Sequence, residues 1–328
     1  MRCRRAHRCR TCPIWRATRD AAARHSGSAL ALAQSQQVAE ALRAATGREV
    51  ELVEIVTAGD RSSAPVQQLG VGVFVSALRD ALGAKEIDFA VHSYKDLPTA
   101  VHDGLRIAAV PPREDPRDAL VASGGRTLAE LPPGARIGTG ALRRMAQLHA
   151  LGLQLEVVPI RGNVDTRLRK VSEGELDAVV LARAGIVRLG RAAEITETLD
   201  PMLMLPAPAQ GALAVECRAD DQDLVELLGR LDHAATRAAV TAERALLATL
   251  EAGCSAPVAA FAEVAEGDDG DEIYLRGAVI SPDGTRDIRL SRTGTPAAAV
   301  EIGRALAADL FEAGAETLLG STENEPHP

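Results

Sequence analysis

The chain has 328 residues, of which 46% are hydrophobic and 25% charged, as expected for a soluble globular protein of two or three domains. No apolar run approaches the roughly 20 residues that span a bilayer, so we expect no membrane protein. The net charge is −8, and because residues 1–25 carry +7, the remainder is strongly acidic. An acidic body argues against general nucleic-acid binding.

The first 25 residues differ from the rest of the chain. They contain eight arginines and one aspartate, and they lack the apolar stretch of a secretory signal. Their arginine content also fits organelle targeting, and four potential zinc ligands occur there: Cys3, His7, Cys9 and Cys12. A second pair of ligands, typical of zinc knuckles, is lacking, so we expect no metal site. The favoured interpretation of residues 1–25 is a disordered or wrongly translated leader.

A regular pattern begins at Ser28, which can cap a helix that ends at Gly47. The following segments predict a strand over 49–56, a glycine-rich loop over 57–74, a helix over 73–86, a buried strand over 87–91 and a strand over 105–112.

A second unit repeats the alternation of strands and helices. It contains predicted strands over 135–140, 155–160 and 176–182, with helical patterns after each, and a further strand over 210–217. This alternation is typical of parallel sheets with helices on both faces. From about residue 232 the pattern changes to a long helix (about 234–251), three strands (near 257–264, 272–280 and 286–292) and a last helix (about 296–314), which indicates a smaller α+β unit.

Charged and hydroxyl side chains follow the predicted strands, at the sheet edge where α/β folds bind ligands. They are His92, Ser93, Lys95, Asp96, Thr139, Arg143, Arg144, Arg161, Arg167 and, further along, Arg188. Helix N-termini and arginine forks both suit carboxylates, so the group predicts a cleft for a ligand with several negative charges. The alternative is a set of solvated surface arginines, in a chain that has 34 arginines and three lysines.

Asp96 is the one acid among these cations. Nearby positive charges should lower its pKa and hold it ionised. A fixed carboxylate can stabilise a developing cation or move a proton. Capping of the turn before Pro98 explains the same residue equally well.

Cys254 lies in LEAGCSAP (250–257), directly after the long helix, and the one other cysteine beyond residue 12 is Cys217. A disulfide, a metal ligand, a buried thiol and a covalent attachment point are all conceivable for Cys254. The sparse cysteines fit a reducing cytoplasm better than a disulfide framework.

Seven segments, in order, resemble the porphobilinogen deaminase family: SALALAQSQ, HSYKDLPT, PREDPRDALV, LRRMAQL, IRGNVDTRL, PAPAQGALAVECR and TAERALLATLEAGCSAPV. The resemblance runs from about Ser28 to about Ala313. It implies an α/β fold of two doubly wound domains similar to periplasmic binding proteins, plus a C-terminal α+β domain. The implied boundaries are 26–112 with 210–231 for domain 1, 113–209 for domain 2 and 232–328 for domain 3.

The resemblance also implies an activity: four porphobilinogen molecules are joined head to tail into hydroxymethylbilane, with release of ammonia. It implies a dipyrromethane cofactor attached through a thioether to Cys254, with Asp96 as the catalytic carboxylate that stabilises cationic pyrroles. We expect a cytoplasmic monomer whose partner is the small substrate, without nucleic-acid or membrane partners.

Further site residues follow from family position. Those expected to bind the cofactor are Ser93, Lys95, Thr139, Arg143, Arg144 and Gly162. Those expected to bind substrate are Asp60, Phe74, Arg161, Arg167, Arg188 and Gln210, of which Asp60 and Phe74 lie on or beside the long loop that in the family covers the cleft.

Two departures from the family pattern remain. The family places a strand, followed by an arginine two residues before the serine equivalent to Ser28, whereas here Ser26 occupies the arginine position and Arg24 is out of register by two. The segment 19–27 has few β-forming residues, so we predict that this strand is missing. The pair Gly140-Ala141 also replaces a segment that commonly contains serine.

Three alternatives compete with an active family member. One is an impaired copy of the enzyme, and another is a two-lobed binder of anions or solutes. The third is a cysteine hydrolase that uses Cys254 with His92, although no hydrolase signature surrounds Cys254.

Overall fold

The computed structural model of the chain describes residues 15–20, 27–55, 72–250, 257–268 and 270–319. Within these ranges the strands are β1 (Trp15–Asp20), β2 (Val50–Ile55), β3 (Phe89–Ser93), β4 (Leu105–Ala109), β5 (Asp118–Ala122), β6 (Arg136–Thr139), β7 (Glu156–Pro159), β8 (Ala178–Ala182), β9 (Glu197–Thr198), β10 (Leu213–Arg218), β11 (Val258–Gly267), β12 (Gly270–Ile280) and β13 (Asp287–Gly294).

The α-helices of the same ranges are α1 (Gly27–Thr46), α2 (Gly72–Gly83), α3 (Leu142–Ala150), α4 (Val164–Ser172), α5 (Arg183–Arg188), α6 (Gln222–Gly229), α7 (Ala234–Thr249), α8 (Ala299–Glu312) and α9 (Glu316–Leu319). None of these helices combines the length and apolar character that a membrane crossing requires.

The first sheet has the order β2-β1-β3-β10-β4. Strand β1 runs parallel to β2 and β3, whereas β10 is antiparallel to β3 and β4. Two clusters of buried apolar residues cover it: Leu42 of α1 packs with Phe89, and Leu82 of α2 packs with Ala90. Adjacent residues of a strand point to opposite faces, so helices cover both faces of this sheet.

The second sheet has the order β7-β6-β8-β5-β9 and repeats this plan. Leu148 of α3 packs against Leu120 of β5, and Leu168 of α4 packs with the adjacent Val121. Two doubly wound units therefore lie side by side in the chain, as the sequence predicted. The polypeptide passes from the first to the second between β4 and β5 and returns before β10.

The third sheet, β11-β12-β13, is antiparallel throughout. Its apolar face packs against α7 and α8, with Leu246 and Leu306 in one core with Leu275. Gly277 permits this approach, because a Cβ there would lie 2.7 Å from a methyl of Leu246. This α+β unit also matches the predicted elements.

Strand β1 corrects the prediction that the first strand is missing. It pairs with β2 over six residues, from Trp15↔Val50 to Asp20↔Ile55, and occupies the place between β2 and β3. An empty place there would leave backbone groups of both neighbours without partners. The prediction of a disordered leader is therefore wrong for residues 15–20, and the potential zinc ligands lie outside the described residues.

Candidate functional site

A single turn of 3-10 helix, Tyr94–Asp96, follows β3 and presents Lys95 and Asp96. Strand β3 is buried over Phe89–His92 between β1 and β10, so the turn leaves the sheet at its centre. The amide of Tyr94 donates to the carbonyl of Ala212 at 3.0 Å, which fixes the turn to the segment before β10.

Asp96 is exposed on the rim of the turn, yet protein atoms crowd around it. Burial raises the pKa of Asp96 above its ordinary value, and the charges of Lys95 and His92 only partly oppose this effect. The sequence-based expectation of a lowered pKa is therefore wrong, because two neighbouring cations do not outweigh the lost hydration.

Burial also lowers the pKa of Lys95, which Asp96 and Asp118 oppose and Arg144 and Arg143 reinforce. The Lys95 ammonium donates to Oε1 of Gln210 at 3.4 Å. Lys95 and Asp96 are thus neighbours of opposite charge at the end of β3.

A cavity of about 110 Å³ opens beside this turn, between the two doubly wound units. Its polar lining comprises Gln34, Ser93, Lys95, Arg144, Arg167 and Arg188. The backbone at Gly211 closes it where the chain returns toward β10. Side chains from α1, β3, α3, α4 and α5 therefore meet at one site; of the predicted residues, Ser93, Lys95, Arg144, Arg167 and Arg188 are among them.

Arg167 and Arg188 enter this cavity, and among the described residues neither has an acidic partner. Their guanidiniums donate to backbone carbonyls, of Gly162 at 2.7 Å and of Gly211 at 2.8 Å. In the described part of the chain, no carboxylate lies within salt-bridge distance of either guanidinium or of the Lys95 ammonium. Burial lowers the pKa of both arginines, because a guanidinium that has lost hydration is less stable in its charged form.

Gly162 is at φ +98°, in the region that favours glycine, and a Cβ there would lie 2.9 Å from Thr166. Its carbonyl orients Arg167. Gly162 thus serves the site through its backbone.

Two predicted hydroxyl donors occupy different environments. Ser93 lines the cavity and accepts a hydrogen bond from Gln34 at 2.8 Å. Thr139 is fully buried, and its Oγ1 has no hydrogen-bond partner within the described ranges. Thr139 therefore has unused hydrogen-bonding capacity but lies outside the residues that line the cavity.

Arg143 and Arg144 begin α3 and are both 4% exposed. Arg144 faces the cavity, whereas Arg143 donates to the carbonyl of Leu205 at 2.5 Å and lies behind it. Gln210 is fully buried, and its amide nitrogen donates to the carbonyl of Pro116 at 2.7 Å. The structure thus places Arg143 and Gln210 in a layer behind the cavity wall.

Arg161 is not in this cavity. It is exposed and lines a separate groove of about 440 Å³ with Arg136, Lys170 and Glu175, beside the edge strand β7. Of the remaining predicted site residues, Asp60 and Cys254 lie outside the described residues, and nothing is described of the Phe74 side chain in α2.

Helix α7 connects the Cys254 segment to the turn that bears Asp96. Arg244 donates to the carbonyls of Leu97 at 3.0 Å and Pro98 at 2.6 Å, and its guanidinium stacks 4.5 Å above the ring centre of Tyr94. The helix ends at Thr249, five residues before Cys254. Five extended residues span at most about 18 Å.

Several contributors escaped prediction, among them Asp118, Glu243 and Arg244. Asp118 is the first residue of β5, a strand that was not predicted from the sequence. It lies 2.8 Å from both Arg143 and Arg144. An acid beside an otherwise apolar run (DALVA) is the one signal that could have identified it.

Two family models match the chain in sequence. Residues 22–226 match "Porphobilinogen deaminase, dipyromethane cofactor binding domain", and residues 237–312 match "Porphobilinogen deaminase, C-terminal domain". Together they cover most of the protein.

Curated relatives agree with these matches. A porphobilinogen deaminase of Nocardia farcinica is 62% identical over 298 residues, which is 89% of this chain and 86% of that protein. A porphobilinogen deaminase of Mycobacterium tuberculosis is 60% identical over 298 residues, 89% of this chain and 96% of that one. Among solved structures, the methionine binding protein MetQ aligns with a TM-score of 0.41 at 15% identity, covering 66% of this chain and 89% of that chain.

Proposed function

The chain belongs to the porphobilinogen deaminase family, and we propose that Asp96 and the cations around it carry out the reaction of that family at the described cavity. The protein is a transferase that joins four porphobilinogen molecules into hydroxymethylbilane and releases ammonia. An impaired copy and a solute-binding protein are not favoured. The observation that carries the residue-level proposal is the convergence of Lys95, Arg144, Arg167 and Arg188 on one cavity, beside the turn that also bears Asp96.

The residues present fit a dipyrromethane. Each of its pyrroles bears an acetate and a propionate, and the cavity offers Arg167, Arg188 and Lys95, whose nearest acidic partners among the described residues lie beyond salt-bridge distance. When bound, the cofactor supplies the free pyrrole α-carbon to which the first substrate is joined.

Asp96 supplies the negative charge. Loss of ammonia from porphobilinogen leaves a cationic pyrrole, which a fixed carboxylate stabilises as the positive charge develops. Because lost hydration raises the pKa of Asp96, this carboxyl can also exchange a proton at a higher pH than an ordinary aspartate. Lys95 beside it binds a carboxylate of the pyrrole and so holds the ring next to Asp96.

Arg144, Arg167 and Arg188 bind the other carboxylates. Arg167 and Arg188 already use a backbone carbonyl to fix one nitrogen, so their orientation is set before the ligand arrives. Preorganised donors of this kind bind without the entropic cost of ordering a long side chain. Arg143 and Gln210 lie behind the cavity wall, and Arg161 lies outside the cavity.

We assign the cofactor attachment to Cys254 because the alternative thiol is unsuitable. Cys217 is a free, fully buried cysteine in β10, and burial raises the pKa of its thiol to about 11. A thiolate is needed for alkylation, and at neutral pH almost none forms at such a site. Helix α7, which Arg244 holds to the turn of Asp96, ends at Thr249, five residues before Cys254 in the sequence.

Intact mass spectrometry tests this assignment. The wild-type protein from a haem-producing host should be heavier than its sequence by one dipyrromethane. The Cys254→Ser variant should have the unmodified mass and release no ammonia from porphobilinogen, whereas the matched variant Cys217→Ala should remain modified. An active wild-type enzyme of unmodified mass would contradict the thioether.

The crossings between the two doubly wound units, near residues 110–117 and 206–212, are the natural hinges for a product that grows in length. We propose the domain boundaries given by sequence, 26–112 with 210–231, 113–209 and 232–328. We also propose a cytoplasmic monomer, for which light scattering of the modified enzyme at one protomer's mass is the expected result.

A further inference from the structure

Asp118 is a buried carboxylate for which the reaction as described has no use. It is the first residue of β5, immediately after the first crossing, and it is 0% exposed. A charged group at such a position is costly unless it is paired and hydrogen-bonded. Its partners therefore indicate what it does.

Those partners are the cations of the cavity wall. Oδ2 of Asp118 lies 2.8 Å from Nη2 of Arg143, in ion-pair contact but not aligned as a hydrogen bond. Oδ1 accepts from Nε of Arg144 at 3.0 Å and lies 2.8 Å from its Nη2. No other carboxylate of the described ranges lies within salt-bridge distance of the two arginines, so one negative charge serves both.

Gln210 extends this contact to Lys95. Its amide nitrogen donates to Oδ1 of Asp118 at 2.8 Å, which orients the amide oxygen outward. That oxygen accepts from Arg144 at 3.3 Å and from Lys95 at 3.4 Å. Lys95 belongs to domain 1, Asp118 to domain 2 and Gln210 to the return crossing, so the network joins all three parts of the cavity wall.

We propose that Asp118 is a positioning residue: with Gln210 it holds Arg143, Arg144 and Lys95 so that their remaining positive charge meets the carboxylates of the cofactor and substrate. This proposal rests on the function proposed above and assigns it a residue that does not touch the ligand. Asp118 and Asp96 together supply two negative charges against these three cations, which leaves an excess positive charge that a ligand carboxylate then neutralises.

The electrostatics agree with the geometry. Burial alone would raise the pKa of Asp118, but the charges of Arg143 and Arg144 and hydrogen bonds from Arg144 and Gln210 lower it to about 2. Asp118 is therefore ionised wherever the enzyme works. Its charge in turn raises the pKa of Lys95 against burial.

The Asp118→Asn variant tests the proposal in the complete enzyme, with Asp115→Asn as the matched control. Asp115 is three residues earlier, and it pairs with Arg117 at 2.6 Å and with Arg183 at 3.5 Å, away from the cavity. We expect Asp118→Asn to raise KM for porphobilinogen by about tenfold or more, since charge-assisted contacts are of that size, while kcat changes by less than about threefold. Asp115→Asn should behave as the wild type.

The pH profile is the readout that a merely structural role would not move. The charged groups that face Lys95 are Asp96 on its own turn, Arg143 and Arg144 on α3, and Asp118 on β5. Removing the charge of Asp118 lowers the pKa of Lys95 further, so the ammonium is lost at a lower pH. The basic limb of kcat/KM should therefore move to lower pH in Asp118→Asn and not in Asp115→Asn.

Intact mass and thermal unfolding are measured on every variant. If Asp118→Asn folds but carries no dipyrromethane, this result also supports the proposal, because the positioned cations are then already needed when the cofactor is assembled. If Asp118→Asn does not fold, the variant Gln210→Met tests the proposal instead. It removes the oxygen that accepts hydrogen bonds from Lys95 and Arg144 but keeps both ion pairs of Asp118. Raised KM and a lowered basic limb are then expected.

If the variant carries dipyrromethane and has both the wild-type KM and the wild-type basic limb of kcat/KM, the proposal is wrong, even if the variant unfolds at a lower temperature. This failure is distinct from failure of the proposed function. If the proposed function is wrong, the wild type itself lacks dipyrromethane and releases no ammonia. The proposed role of Asp118 is then wrong as well.

Discussion

Glu243 of α7 accepts hydrogen bonds from both terminal nitrogens of Arg113, at 2.7 and 3.0 Å, although the two residues are 130 positions apart. Arg113 lies on the first crossing between the doubly wound units, and its Nε donates to the carbonyl of Gln210 on the second. Glu243 also accepts from the amide of Ala209 at 2.5 Å. One carboxylate of the C-terminal unit thus holds both crossings.

The Glu243→Gln variant should lose much of this stabilisation. Glu243 is fully buried, and removal of one partner of a buried ion pair leaves the guanidinium of Arg113 uncompensated. We expect the free energy of unfolding to fall by about 3–5 kcal/mol in denaturant titrations. The control Glu301→Gln, at an exposed position of α8, should change it by less than about 0.5 kcal/mol. A loss below about 1 kcal/mol in Glu243→Gln would show that the pair does not hold the crossings.

Asp96→Asn should retain the cofactor and lose turnover. The amide keeps the shape of the side chain but cannot supply a negative charge to the cationic pyrrole. We expect kcat to fall by roughly 10²–10³-fold, as for loss of one preorganised electrostatic group. Ammonia release and intact mass are the measurements, with Asp103→Asn at an exposed position as control. Turnover at the wild-type rate would remove Asp96 from the mechanism.

The wild-type pH profile should reflect the environment of Asp96. The carboxylate form is the active one, so activity falls as the pH drops through its pKa. Burial raises this pKa above the ordinary 3.8, and therefore the acid limb of kcat should lie above that value and be absent from Asp96→Asn. An acid limb at or below the ordinary aspartate value would contradict the effect of burial.

Arg167→Leu should weaken substrate binding, and Arg169→Leu should not. Arg167 enters the cavity, whereas Arg169 is exposed two positions further along the same helix α4. We expect KM for porphobilinogen to rise by roughly tenfold or more in Arg167→Leu, which loses one charge-assisted contact. Equal KM values in the two variants would place the carboxylate site elsewhere.

Much of the fold was predictable because apolar runs report burial directly. The predicted strand over 87–91 is β3 at Phe89–Ser93, and the predicted helix over 234–251 is α7 at Ala234–Thr249. The predicted cluster of cations at strand ends is also present in the cavity. These features depend on local patterns, which a single sequence contains.

The features that were missed depend on contacts between distant residues. Arg161 and Arg167 share one motif, yet only Arg167 enters the cavity, because Arg161 follows the edge strand β7 outward. Asp118 meets Arg144 across 26 positions. The sign of the Asp96 pKa shift depends on how deeply the turn is enclosed, and no spacing of residues indicates that depth.

Strand β1 brings an arginine to the first sheet, although Ser26 occupies the position at which the family has its arginine. Arg19 is the fifth of its six residues. Because β1 runs parallel to β3 with Ala17 opposite Phe89, Arg19 lies toward the end of the sheet at which Ser93 and Lys95 follow β3. Arg24, the nearer arginine in sequence, is out of register with the family position.

Arg19→Ala should therefore raise KM for porphobilinogen by roughly tenfold, the size of one charge-assisted contact. Arg16→Ala is the matched control, since Arg16 lies about 10 Å away, toward the opposite end of the same strand. Steady-state kinetics on the modified enzymes distinguish the two variants, and thermal unfolding checks that β1 is intact in both. Equal kinetic effects of Arg16→Ala and Arg19→Ala would mean that β1 completes the sheet without contributing a binding residue.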